Sequence, residues 1–134
     1  MTSSGPVTTF GLTHIALAVA DVERAFSFYE AVFGMVAVYR GDGFLQAQTP
    51  GTRDVLVFEK KPAEAGRSGG VIHFGFRLQS ADDIDAAAAA ITAAGGVIRE
   101  KGEFVPGEPY IFFADLDGYE VELWYELPTP IDPA

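Results

Sequence analysis

The pattern of apolar and polar positions predicts a strand, a helix and three more strands in the first half of the chain. Residues 14–19 alternate small or polar with large side chains, which is typical of a strand buried on one face. Residues 24–33 carry apolar side chains at the i, i+3, i+4, i+7 spacing of a buried helical stripe. Asp21 and Gly34 are the residue types expected at the two ends of that helix. Three short strand patterns follow, at residues 36–40, 44–48 and 54–59.

The second half repeats this order after a Gly/Ala/Ser-rich connector at residues 62–70. A strand pattern at residues 71–78 leads to Asp82 or Asp83 as helix cap and to an alanine-rich helix at residues 84–94. Further strand patterns lie at residues 97–101, 110–114 and 119–125. The repeat predicts an α+β fold of two βαβββ modules, at about residues 10–61 and 71–126, in one domain spanning residues 1–134.

Composition and charge disfavour nucleic acids and membranes as binding partners. The chain of 134 residues has a formal net charge of −10, which disfavours binding to a phosphate backbone. No apolar run approaches the ~20 residues that are needed to cross a bilayer. There is no cysteine, and therefore no disulfide framework. We expect a cytoplasmic protein that binds neither nucleic acid nor a membrane.

The only two histidines, His14 and His73, occupy matching places in the two modules, 59 positions apart. Neutral imidazole is the commonest metal ligand in proteins. Glu122 lies in the middle of the last strand among large apolar residues, where a carboxylate is costly unless it is paired or bound to a metal. These three residues predict a site for a divalent first-row metal, and ordinary hydrogen-bonded histidines are the rival interpretation.

Aromatic and basic residues are candidates for contacts with a substrate. Alternation places Trp124 on the same strand face as Glu122. The predicted apolar wall of a substrate site comprises Phe44, Phe104, Tyr110, Phe112 and Trp124, with core packing as the alternative for each. Three arginines are candidates for pairing with an anionic substrate group, and the sequence does not choose among Arg40, Arg53 and Arg77.

Four segments of the chain resemble the vicinal oxygen chelate superfamily, also called the glyoxalase/bleomycin-resistance/dioxygenase group. They are residues 13–21, 28–35, 72–74 and 115–123. The resemblance implies paired βαβββ modules that form a half-barrel around a divalent metal, with helices outside. By motif position it implies His14, His73 and Glu122 as metal ligands. It further implies a small-molecule substrate that chelates the metal through two neighbouring oxygens, and a homodimer.

Glyoxalase I-like members of that superfamily carry a second ligand glutamate on the last strand of the first module. Aligning the two halves places Leu56 at the counterpart of Glu122 and Glu59 on the opposite strand face. A three-ligand site follows, which narrowly favours an extradiol-dioxygenase-like enzyme with Fe²⁺. Those enzymes typically have a tyrosine where this chain has Phe112, and they often use a further histidine that is absent here. Tyr110 is a candidate catalytic substitute.

Other activities within the superfamily stay open. With Zn²⁺, Ni²⁺, Mn²⁺ or Mg²⁺, the same residues would suit a glyoxalase I-like lyase or isomerase. A metal-free protein that sequesters a drug, as in bleomycin resistance, would depend on the aromatic cavity and not on the histidines. A structural or regulatory domain would have neither property. The sequence also leaves open whether the modules pair within one chain or across a dimer.

Overall fold

The computed structural model describes residues 5–133 as two βαβββ modules. Module 1 contains β1 (His14–Val19), α1 (Val22–Phe33), β2 (Val36–Gly41), β3 (Phe44–Gln48) and β4 (Val55–Lys60). Module 2 contains β5 (Phe74–Arg77), α2 (Ile84–Ala93), β6 (Val97–Glu103), β7 (Pro109–Ala114) and β8 (Glu120–Trp124). The predicted α+β fold is therefore confirmed. Neither α-helix in this part of the chain is long and apolar enough to span a membrane.

Each module forms its own four-stranded sheet, with the same topology in both. Sheet A has the order β1-β4-β3-β2 and sheet B the order β5-β8-β7-β6. The first strand runs parallel to the last strand in each module, and the other pairs are antiparallel. This topology brings the segment that follows His73 next to the strand that carries Glu122.

Local sequence signals account for the ends of the helices, with one correction. The Asp21 carboxylate accepts a hydrogen bond of 2.9 Å from the Arg24 amide, and Gly34 ends α1 in the left-handed conformation at φ 68°. Of the two residues predicted to cap the second helix, Asp83 does occupy the position before α2, but its side chain makes no capping hydrogen bond. Ser80 accepts from the Asp82 amide, in a short 3₁₀ turn that precedes α2. Ser80 has the extended backbone that capping requires, whereas Asp83 already has helical angles.

The inner faces of both sheets and both helices share one hydrophobic core. Leu17 and Phe58 from sheet A are buried in it, as is Phe113 from sheet B. The Phe33 ring of α1 stacks on Phe76 of sheet B at 4.1 Å between centroids, so the two modules pack directly on each other. The outer face of each sheet, which faces away from this core, is where the candidate site lies.

Candidate metal centre and substrate cleft

His73 and Glu122 meet on the outer face of sheet B. His73 Nε2 lies 3.5 Å from Glu122 Oε1, and their side chains are 35% and 15% exposed. Two protein ligands of one ion, each about 2.1 Å from it, lie about 3.0–3.4 Å apart. The pair is therefore spaced so that a small movement would let both atoms bind one divalent ion.

Gly75 permits the close approach of β5 and β8 that builds this pair. A Cβ at this position would lie 2.7 Å from the Glu122 carbonyl oxygen and 3.1 Å from the Trp124 ring. Any larger residue would have to push the two strands apart. The glycine thus positions both Glu122 and Trp124.

The Glu122 carboxylate lies in a partly desolvated environment with little compensation. Burial raises the pKa of Glu122, and the neighbouring His73 opposes this effect. Within residues 5–133, no hydrogen bond to this carboxylate accompanies the contact with His73. Because a partly buried carboxylate with a single partner is costly, a bound cation would supply the missing stabilisation.

His14 does not join the pair within one chain. Its side chain is exposed at the start of β1, on sheet A. No group of three or more His, Cys, Asp or Glu side chains able to hold one ion exists within residues 5–133 of a single chain. One chain thus brings together two of the three predicted ligands.

The sheet register corrects the predicted counterpart of Glu122 in module 1. In sheet B, Glu122 pairs with the second residue after His73. In sheet A, the residue that pairs with the second residue after His14 is Val57. Val57 is therefore the counterpart of Glu122, and the alignment of Leu56 with it was wrong by one position. Neither side chain can bind a metal.

The same register corrects the orientation predicted for Glu59. Glu59 is two residues beyond Val57, so it points to the outer face of sheet A and not away from it. There it forms an ion pair with Lys61, at 3.7 Å between Oε1 and Nζ. A carboxylate therefore lies on the outer face of sheet A, but it is two residues further along β4 than the counterpart of Glu122.

Four of the five predicted wall residues cluster beside His73. The Phe112 ring meets the His73 ring edge-on at 5.1 Å, and Tyr110 meets Phe112 at 5.5 Å. Phe104 stacks on Tyr110 at 4.1 Å, and Trp124 pairs with Tyr110 across β7 and β8. The outer face of sheet B thus carries an aromatic surface next to the candidate metal pair.

The remaining predicted residues have different surroundings. Phe44 lies on sheet A, where it pairs with Glu59 and contacts the Tyr39 ring at 5.6 Å. The Tyr110 hydroxyl donates a hydrogen bond of 2.6 Å to Glu100, and this bond raises the pKa of Tyr110. Tyr110 is thereby a weaker acid than a free tyrosine.

A cleft of about 820 Å³ opens beside His73, between β1, the connector and the start of β8. Its charged lining consists of Glu59, Lys61, Glu64, Arg67, Arg99 and Glu120. The sequence pattern did not indicate Arg99, since nothing in the alternation of β6 marks it.

The three arginines proposed for an anionic substrate group lie outside this cleft lining and have other partners. Arg40 pairs with Glu23 at 3.2 Å, and Arg77 pairs with Asp132 at 3.0 Å. The Arg53 guanidinium lies over the Phe10 ring, 3.7 Å from its centroid.

The sequence and the fold of this chain are similar to those of several known proteins. A curated protein of Pseudomonas aeruginosa, described as uncharacterized, is 32% identical over 125 residues, which cover 87% of this chain and 89% of that protein. The solved fosfomycin resistance protein FosX from Mesorhizobium loti has a TM-score of 0.73 at 22% identity, covering 90% of this chain and 95% of that chain. The lactoylglutathione lyase from Agrobacterium tumefaciens has a TM-score of 0.68 at 21% identity, covering 87% and 94%.

The family assignment follows from a match along most of the chain. The model of the Glyoxalase/Bleomycin resistance protein/Dioxygenase superfamily matches residues 11–123, which include both modules and all three predicted metal ligands. The solved structures support the fold alone at these levels of identity. The chain belongs to the Glyoxalase/Bleomycin resistance protein/Dioxygenase superfamily.

Proposed function

We propose that the protein is a divalent-metal-dependent enzyme that binds two neighbouring oxygens of a small organic substrate. The observation that carries this proposal is the pair of His73 and Glu122 beside the cleft, with 3.5 Å between Nε2 and Oε1. Its donor set of one imidazole and one partly buried carboxylate is suited to a first-row divalent ion.

The third ligand in this proposal comes from a second copy of the chain. His14 is exposed near the edge of sheet A, whereas the pair lies on sheet B. In a homodimer with two-fold symmetry, His14 of each protomer would reach the pair of the other, giving two equal sites. The three predicted ligands do not form one group within residues 5–133 of a single chain, which supports this arrangement.

The residues around the pair have assignable tasks in this reaction. A divalent ion held there would act as a Lewis acid that stabilises negative charge on the two substrate oxygens. The Phe112 ring restricts the orientation of His73 through its edge contact. The stacked rings of Phe104 and Tyr110 offer an apolar surface to a flat substrate.

Among the activities of the superfamily, an extradiol-dioxygenase-like reaction with Fe²⁺ is the one we favour. Val57, at the counterpart of Glu122, cannot supply a fourth protein ligand, so two histidines and one carboxylate make a facial triad with open positions. One observation favours the lyase or isomerase alternative instead. Glu59 lies on the outer face of sheet A and lines the cleft, as a second carboxylate of a glyoxalase I-like site would.

Metal analysis of the purified protein tests the proposed centre. We expect one divalent ion per chain in the wild type, and less than about a tenth of that in His14→Ala, His73→Ala and Glu122→Ala, because each variant lacks a ligand. Glu120→Ala, on the same strand face, should keep its metal. If the wild type is free of metal and still binds an aromatic compound, the enzyme proposal is wrong and a drug-binding protein is the better interpretation.

Oxygen uptake tests the reaction type. After anaerobic loading with Fe²⁺, we expect the wild type to consume oxygen when catechols are added, and Glu122→Ala to consume none. Isomerisation of a hydroxy-ketone by the Zn²⁺ or Ni²⁺ form, without oxygen uptake by the Fe²⁺ form, would establish the lyase or isomerase alternative.

A further inference from the structure

Arg99 occupies a β-bulge in β6, at the edge of sheet B. Ile98 pairs with Phe113 and Glu100 pairs with Phe112, so Arg99 is an extra residue without a partner in the ladder. A bulge of this kind redirects a side chain relative to regular alternation, and bulges are frequent next to active sites.

The redirected Arg99 side chain reaches the cleft that contains His73. Its Nη1 lies 3.8 Å from Glu120 Oε1, and its side chain is 50% exposed. Glu120 is two residues before Glu122 on the same face of β8, which places the two Cα atoms about 7 Å apart. A small ligand at the pair of His73 and Glu122 is therefore within reach of the Arg99 guanidinium.

The bulge itself does not demand an arginine. Module 1 has a bulge at the same place in β2, where the register shifts between Ala37 and Tyr39, and its extra residue is Val38. Val38 is 54% exposed, so either kind of side chain is compatible with this backbone. The positive charge at Arg99 thus calls for an explanation other than folding.

The cleft is less acidic than the chain as a whole, so a negatively charged ligand is repelled less there than elsewhere on the protein. The chain contains 19 acidic and 9 basic residues, yet the cleft lining holds three of each. The contact between Arg99 and Glu120, at 3.8 Å, is too long for a hydrogen bond. Arg99 is therefore loosely held, in contrast to Arg77, which is tied to Asp132 at 3.0 Å.

We infer that Arg99 is a specificity-determining residue that selects substrates carrying a carboxylate in addition to the two neighbouring oxygens. This inference rests on the proposed function and adds a substrate class to it. Glu120 competes with the substrate carboxylate for Arg99, so the two residues have opposite effects on affinity.

Binding of two matched probes to the Zn²⁺-loaded protein tests this role, since Zn²⁺ is redox-silent and permits no turnover with oxygen. The probes are catechol and 3,4-dihydroxybenzoate, which share the two oxygens and differ by a carboxylate. We expect Arg99→Gln to weaken binding of the benzoate roughly tenfold or more and to leave catechol unchanged. Glu120→Gln should tighten binding of the benzoate alone. Arg40→Gln, which removes an arginine outside the cleft lining, should change neither.

The outcomes separate this inference from the proposed function. If Arg99→Gln lowers affinity for both probes equally, or for neither, the inference is overturned while the metal centre stands. Failure of the wild type to bind the benzoate would also overturn it. If the wild type holds no Zn²⁺ but Arg99→Gln selectively weakens the benzoate, the anion site is supported and the metal centre is wrong.

Discussion

At the scale of single residues, Glu122 is a side chain whose partial burial lowers the stability of the folded protein. It is 15% exposed, its pKa is raised by burial, and His73 alone opposes that effect. A carboxyl group whose pKa is higher in the folded than in the unfolded protein lowers the stability of the fold as the pH rises through its titration. The reason is that its charged form is disfavoured in the folded protein. Glu122 should therefore be destabilising at neutral pH unless a cation is bound.

Replacement of Glu122 by glutamine tests this argument. In the presence of a chelator at pH 7, we expect Glu122→Gln to unfold at the same temperature as the wild type or higher, because the neutral amide avoids the cost of the partly buried charge. Addition of Mn²⁺ should raise the Tm of the wild type and leave the variant unchanged. A lower Tm of Glu122→Gln with chelator would mean that the carboxylate serves the fold, and Glu120→Gln is the control.

At the scale of elements, the loop between β7 and β8 ties the two modules together. The Tyr29 hydroxyl of α1 donates a hydrogen bond of 2.7 Å to the buried Asp115 carboxylate. The other oxygen of Asp115 accepts from the amides of Asp117 and Tyr119 within its own loop. Burial raises the pKa of Asp115, and these hydrogen bonds oppose the rise.

Removal of the Tyr29 hydroxyl should loosen this connection. In Tyr29→Phe, one oxygen of Asp115 loses its partner, which costs about 1–3 kcal/mol in the free energy of unfolding. The folded-state pKa of Asp115 then rises further, so the penalty should be smaller near pH 4 and grow towards pH 7. Urea unfolding at both pH values measures it, with the exposed Tyr39→Phe as control. An equal loss in both variants would remove Asp115 from this role.

The sequence predicted most elements because their signals are local. Alternation identified the strands His14–Val19 and Phe44–Gln48, and the caps of α1 followed from Asp21 and Gly34. The side-chain cap before the second helix was missed because Ser80, which supplies it, lies at the start of a 3₁₀ turn that precedes α2.

Non-local pairing explains what the sequence did not reveal about the site. The counterpart of Glu122 was misplaced by one residue, since the register of the parallel pair β1 and β4 depends on contacts between distant segments. A shift of one position reverses the face of every side chain, which is why Glu59 was also misassigned. The bulge that directs Arg99 into the cleft depends on the same pairing.

At the scale of the whole molecule, the three predicted metal ligands are divided between the two modules. Both inner faces pack with the helices into one core, while His14 lies on sheet A, Glu122 lies on sheet B and His73 lies just before β5 of sheet B. A site that needs all three predicted ligands is therefore incomplete in one chain, and the proposed homodimer would complete it. This arrangement makes the proposed metal centre and the proposed homodimer a single hypothesis.

Subunit complementation separates a shared site from one confined to a chain. His14→Ala and Glu122→Ala should each bind no metal as homodimers. After both are unfolded, mixed in equal amounts and refolded, half of the dimers are mixed, and each of these has one site with both lesions and one intact site. The mixture should therefore recover roughly one quarter of wild-type metal binding.

If each site lay within one chain, every site would retain a lesion and the mixture would bind no metal. A mixture of His73→Ala with Glu122→Ala is the matched control. In the proposed dimer these two residues come from the same chain, so every site of a mixed dimer still lacks one of them and the mixture should bind no metal.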